Sequence, residues 1–150
     1  MKCPFLVIRK TRRDYFKSRI EMIKGDTDEE RLERANLYLL MNKLSKAKKE
    51  LDFVPKSRFS VKHHTLLKAR LQLKDSRPIN ALEVMRNLPV DEETAPVYAD
   101  IYESMGSYEA AALVLREAGV ADMEQRIISY ERLAQERRLA KGKYFIEGRS

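Results

Sequence analysis

Residues 99–118 read ADIYESMGSYEAAALVLREA, and this stretch decides the fold. Small residues stand at Ala99, Ala111 and Ala118 and large ones at Tyr102, Tyr108 and Leu115, with Gly106 between them. A helix entering Gly106 and a helix leaving it meet at Ala99 and Ala111, where little side-chain bulk lets two helix axes approach. Gly106 supplies the conformational freedom that the tight turn needs. The pattern also runs backward through the chain. Ala35, Ala47, Leu51 and Pro55 recur 34 residues later as Ala69, Ala81, Met85 and Pro89, and Ala69 and Ala81 recur 30 residues on as Ala99 and Ala111. Repetition at this period marks stacked helix pairs, each unable to bury its apolar face without a neighbour.

Start and stop signals extend the reading to the whole chain. Thr11 caps a helix from Arg12 to Lys24, closed by Gly25, with Phe16, Ile20 and Ile23 on one stripe. Thr27 to Glu30 reads as a capping box opening a helix to about Met41. Ser45 opens a helix to Phe53, stopped by Pro55, and Ser60 opens one to Lys74. Pro78 sits in the first turn of a helix that ends before Pro89. Asp91 or Thr94 opens the helix closed by Gly106, with Pro96 in its first turn, and Ser107 opens the one closed by Gly119. A last helix, about Asp122 to Ala140, places Met123, Ile127, Tyr130 and Ala134 on one face as a cap for the stack. No segment alternates with period two, so no sheet is expected. The expected fold is all-α: an α–α superhelix of three helix pairs with an N-terminal helix and a C-terminal capping helix. It forms one domain over 1–145, with a basic helix at 1–25, repeats at 28–120 and the cap at 122–141. Residues 146–150, IEGRS, resemble a protease-cleavage tail of the kind carried by expression vectors and are left out of the fold reading.

Composition suits a folded helical protein: 43% apolar and 35% charged, with five Gly and five Pro. Cys3 is the only cysteine, which excludes an internal disulfide and points to a reducing, cytoplasmic location. The apolar run Phe5–Ile8 is far too short to span a membrane. The net charge of +7 is unevenly distributed. Residues 1–25 carry eight Lys and Arg against two Asp and Glu, whereas residues 91–125 carry one against nine. Such segregation either orients a charged partner or is an uneven solvated surface.

The third copy resembles a tetratricopeptide repeat, and the first two keep much of its pattern. Copy one has Ala35, Tyr38, Ala47 and Leu51, with Asn42 at the turn; copy two has Ala69, Ala81 and Met85, with Ser76 and Pro78 there. Arg31, Arg34, Thr65 and Lys68 depart from it, standing where the family has large apolar residues. The resemblance implies a concave groove lined by the first helix of each pair. Its positions include Leu32, Asn36, Leu39 and Leu40, then His63, Leu66, Arg70 and Leu73, then Glu93, Asp100 and Glu103. Such a groove suits an extended or helical peptide with an apolar anchor and basic residues. The alternative is a self-filled groove, with Leu39, Leu40 and Leu73 beneath the N-terminal helix. The family's carboxylate clamp for heat-shock chaperones is not expected, because Leu32, Leu67 and Glu93 stand at its positions.

Chemistry finds little support. His63 and His64 are adjacent, so their side chains diverge by about 100° on a helix, and neither has an i+4 partner for a metal. No nucleotide loop or nucleophile elbow is present, so an enzyme is not expected, nor a metal or cofactor. The implied function is an adaptor or small chaperone binding a segment of a partner protein, of a size and architecture similar to type III secretion chaperones. Two alternatives stay open: a regulatory subunit of a larger complex, or a nucleic-acid-binding helical protein. Either uses the basic surface of Arg12, Arg13, Lys17 and Arg19, beside Tyr15 and Phe16.

Overall fold

A computed structural model describes residues 4–55 and 61–147. Among the described residues there are eight helices and no strand: α1 (Pro4–Met22), α2 (Asp28–Leu40), α3 (Leu44–Asp52), α4 (Val61–Lys74), α5 (Pro78–Met85), α6 (Ala95–Ser104), α7 (Tyr108–Ala118) and α8 (Glu124–Glu147). The all-α class expected from the repeat is the class observed. The chain divides into two units, 1–76 and 77–150, with the division at the turn inside the second copy.

The repeat is written into the backbone. Asn42, Ser76 and Gly106 occupy the same position of the three copies, and all three are left-handed, with φ of 59°, 60° and 72°. The flanking hydrogen bonds match. Met41 and Lys43 donate to Leu37 and Tyr38 carbonyls, as Met105 and Ser107 donate to Ile101 and Tyr102. These bonds satisfy the carbonyls that a helix end leaves free. The six alanines of the pattern, Ala35, Ala47, Ala69, Ala81, Ala99 and Ala111, are all 0% exposed.

In the N-terminal unit, Leu32, Ala35 and Leu39 of α2 pack with Ala47 and Leu51 of α3 and with Leu67 and Leu71 of α4. Tyr38 and Leu44 close the edge of that core. Thr27 caps α2: Glu30 N–H donates to its Oγ1, and that hydroxyl donates to Glu30 Oε1. In the C-terminal unit, Asp91 Oδ1 accepts from the N–H groups of Glu93 and Thr94, while Thr94 Oγ1 accepts from Asp91 N–H. Asp91 thus caps the turn that leads into α6, whereas Thr94, the residue directly before α6, makes no side-chain cap bond to it. Gly119, at φ 62°, closes α7 as expected.

Several boundaries differ from the sequence reading. Helix α1 begins at Pro4 and runs straight through Thr11. Proline is favourable in a first turn, and the Lys and Arg that follow are good helix formers, so the Thr11 signal is overridden. The Arg12 side chain and the Ser60 start lie outside the described residues. Gly25 is not a left-handed stop; α1 ends at Met22, and Gly25 N–H donates instead to Glu30 Oε2 at 2.8 Å. A Cβ there would stand within 2.6 Å of the Glu30 carboxylate. Lys43 rather than Ser45 precedes α3, and Ser107 precedes α7 without a side-chain cap bond. Helix α8 starts at Glu124, after a left-handed Asp122, and continues to Glu147, taking in the first two residues of IEGRS.

Candidate functional site

The expected groove residues separate into open and enclosed sets. In the N-terminal unit, Leu39 is 2% exposed and lies in the core with Leu32, and Leu66 is buried as well. Their side chains hold α2 and α4 in place and are not available to a partner. Asn36 and Leu73 are half-buried, whereas Leu40 is 54% exposed and His63 and Arg70 face solvent. Arg13 and Lys17 are exposed on α1, and Arg19 pairs with Glu33 at 3.0 Å. This unit carries twenty Lys and Arg against ten Asp and Glu.

Arg34, a departure from the repeat pattern, is the centre of a charged cluster. It is 9% exposed and donates to the Gly25 and Asp26 oxygens at 2.7 Å and to the Ile23 carbonyl at 3.4 Å. Glu50 of α3 lies 3.3 Å from it, and Arg31 pairs with the same carboxylate while stacking on Phe53. The hydrogen bond from Arg34, reinforced by the charge of Arg31, holds the Asp26 carboxyl below its ordinary value. Burial opposes the Arg34 charge, but its bonds to Asp26 and Glu50 outweigh that and push its pKa up. His64 is buried, its Nε2–H donating to the Leu51 carbonyl at 3.1 Å. That bond fixes the ring to α3 and gives His64 a structural place.

In the C-terminal unit, Glu93 is exposed, and Asp100 and Glu103 project from α6 toward α8. Arg126 of α8 donates to Asp100 and lies 3.4 Å from Glu103, and Tyr130 OH donates to Glu103 at 2.7 Å. Tyr130 is buried and stacks on Tyr108. Burial, then the Glu103 bond, raises the Tyr130 phenol to about 12. Burial lowers and the Asp100 bond raises the Arg126 pKa, with a net rise. The two acidic positions expected to orient a basic partner are thus engaged by the chain's own arginine and tyrosine. The signal was present in the sequence: Asp100 and Glu103 are three apart and Arg126 and Tyr130 four apart, so each pair shares a helix face.

Three cavities lie along α7 and α8, of about 450, 520 and 500 Å3, the last between the end of α7 and the start of α8 beside Leu115 and Ile128. The first is lined by Gly106, Arg137, Arg138 and Lys141, but Arg137 donates to the Gly106 carbonyl and Arg138 pairs with Glu109. Arg116 and Glu131 pair across the second. Among the described residues no three His, Cys, Asp or Glu side chains are grouped to hold a metal ion, and no helix is long and apolar enough to cross a membrane. No protein-family model, curated protein or solved structure matches the chain.

Proposed function

We propose that the chain is a tetratricopeptide-like scaffold that binds a segment of another protein, as an adaptor or small chaperone, and catalyses no reaction. One observation carries this reading: three left-handed turns and six fully buried alanines recur in register. Repeated helix pairs of this kind present side chains along a surface and leave the chemistry to others. The cluster on Asp100 and Glu103 redirects attention to the N-terminal unit. Its open side chains, Leu40, His63 and Arg70, together with Arg13 and Lys17, suit an acidic segment carrying an apolar anchor. The single cysteine fits a reducing, cytoplasmic setting.

The same cationic excess favours nucleic acid as a second reading. Photo-crosslinking in cell extract separates the two. A photoreactive residue at position 40 of the full chain is expected to yield protein adducts that resist nuclease. Position 113, on the exposed side of α7, is the comparison and yields none. Adducts destroyed by nuclease would establish the nucleic-acid reading, and equal labelling at both positions would remove this face as the site.

A further inference from the structure

We infer that the outward face of α8 is an interface with a second copy of this chain, packed antiparallel about a two-fold axis. Met123, Ile127, Tyr130 and Ala134 turn inward; Arg132, Glu136 and Leu139 lie on the opposite side, and Ile128, four residues before Arg132, stands at its edge beside the end of α7. All four are exposed; Ile128 and Leu139 are 51% and 66% open. Neither Arg132 nor Glu136 makes an ion pair among the described residues, although four other arginines of the unit do so or bond a carbonyl: Arg116, Arg126, Arg137 and Arg138.

The order along this stripe is what selects the occupant. Opposite charges sit four residues apart at its centre, with an apolar residue a turn outside each. A second α8 placed antiparallel, with the axis level with Ala134, sets Arg132 opposite the second copy's Glu136 and Glu136 opposite its Arg132. Ile128 then meets Ala140 and Leu139 of the copy. A parallel pairing would set Arg132 beside Arg132 and is repulsive. Self-complementarity under a two-fold axis is the requirement of an isologous dimer. Stable interfaces bury upwards of about 1,200 Å2, more than one helix face of this size supplies. The association is therefore weak and concentration-dependent.

Sedimentation equilibrium of the full chain, from low to several hundred micromolar, reads it directly. The weight-average mass should climb from the 17.6 kDa monomer toward twice that value. Arg132→Glu and Glu136→Arg should each weaken dimerisation about tenfold or more, because each sets like charges face to face. An equimolar mixture of the two variants should dimerise as the wild type does, since one pair re-forms as in the wild type and the other with its polarity reversed. Leu139→Ser, which carries no charge, should weaken the dimer independently. A constant monomer mass overturns the inference. So does a dimer that Leu139→Ser leaves unchanged, or one that the mixture fails to restore.

Discussion

Arg34 and Tyr98 stand one residue before Ala35 and Ala99, so they hold the same position of the repeat in the two units. Each turns its polar end onto carbonyls at or just beyond the end of the preceding helix. Arg34 reaches Ile23 and Gly25 after α1, and Tyr98 OH reaches Met85 and Leu88 at the end of α5, at 2.5 and 2.9 Å. The task is one, satisfying backbone carbonyls where the chain leaves a helix, and the chemistries differ. A guanidinium brings a charge into a buried place, so it requires Asp26 and Glu50 as counter-ions. A phenol brings none and needs only its hydroxyl bonds. The difference teaches that the alanines and turns set the scaffold, while this neighbouring position takes a charged donor in one unit and a neutral one in the other.

The comparison is broken most severely at Arg34. Arg34→Ala leaves the half-buried Glu50 carboxylate with Arg31 as its remaining partner, a loss of about 1.5–3 kcal/mol, the range for a hydrogen-bonded charge. Urea titration with hydrogen exchange should find that loss in the N-terminal unit. Tyr98→Phe removes one hydroxyl and should cost about 1–2 kcal/mol, localised to α5 and α6. If the two variants lose equal stability, the charged and neutral solutions are energetically alike and the contrast fails.

Titration sharpens the same contrast. Tyr130 is raised to about 12, so the folded C-terminal unit holds a proton that the unfolded chain releases near its ordinary value of 10. Burial raises Tyr98 in the same direction. Stability is full below that ordinary value and is lost as pH rises through 10 toward 12. Tyr130→Phe should flatten this alkaline limb in thermal melts, and an unaltered limb would show that other groups govern it. Asp26 gives the smallest effect and the opposite sign. Its folded value is depressed, so its contribution is present above the ordinary carboxylate range and fades as pH falls through the depressed value. Its exposed side chain keeps the effect small, and Asp26→Asn should shift the acid limb of the N-terminal unit only slightly.

The fold was legible because the alanine spacing and the three turn residues are local, repeated signals. Asn42 and Gly106 announce a left-handed turn by type, whereas Ser76 is found only through its register with them. Caps were read less well: Thr27 has its Glu30, but Ser45 and Ser107 have no comparable partner and make no cap bond. The candidate site was legible in position and not in exposure. Leu32 and Leu39 fall on the first helix as expected, yet periodicity does not distinguish a groove lining from a core. Nor does a repeat pattern reveal that Arg126, 23 residues beyond Glu103, will take up its carboxylate. That pairing depends on the turn at Asp122, which no repeat copy contains.

The division of the chain at Ser76 also has a meaning in time. Every element of the N-terminal unit, from α1 to α4, is encoded before residue 77. At about 5–20 residues per second, synthesis of residues 77–150 occupies roughly 4–15 s. Helical folds rich in short-range contacts form in microseconds to milliseconds. The basic half of this protein is thus complete, with its cations on display, seconds before the acidic helices that follow have left the ribosome.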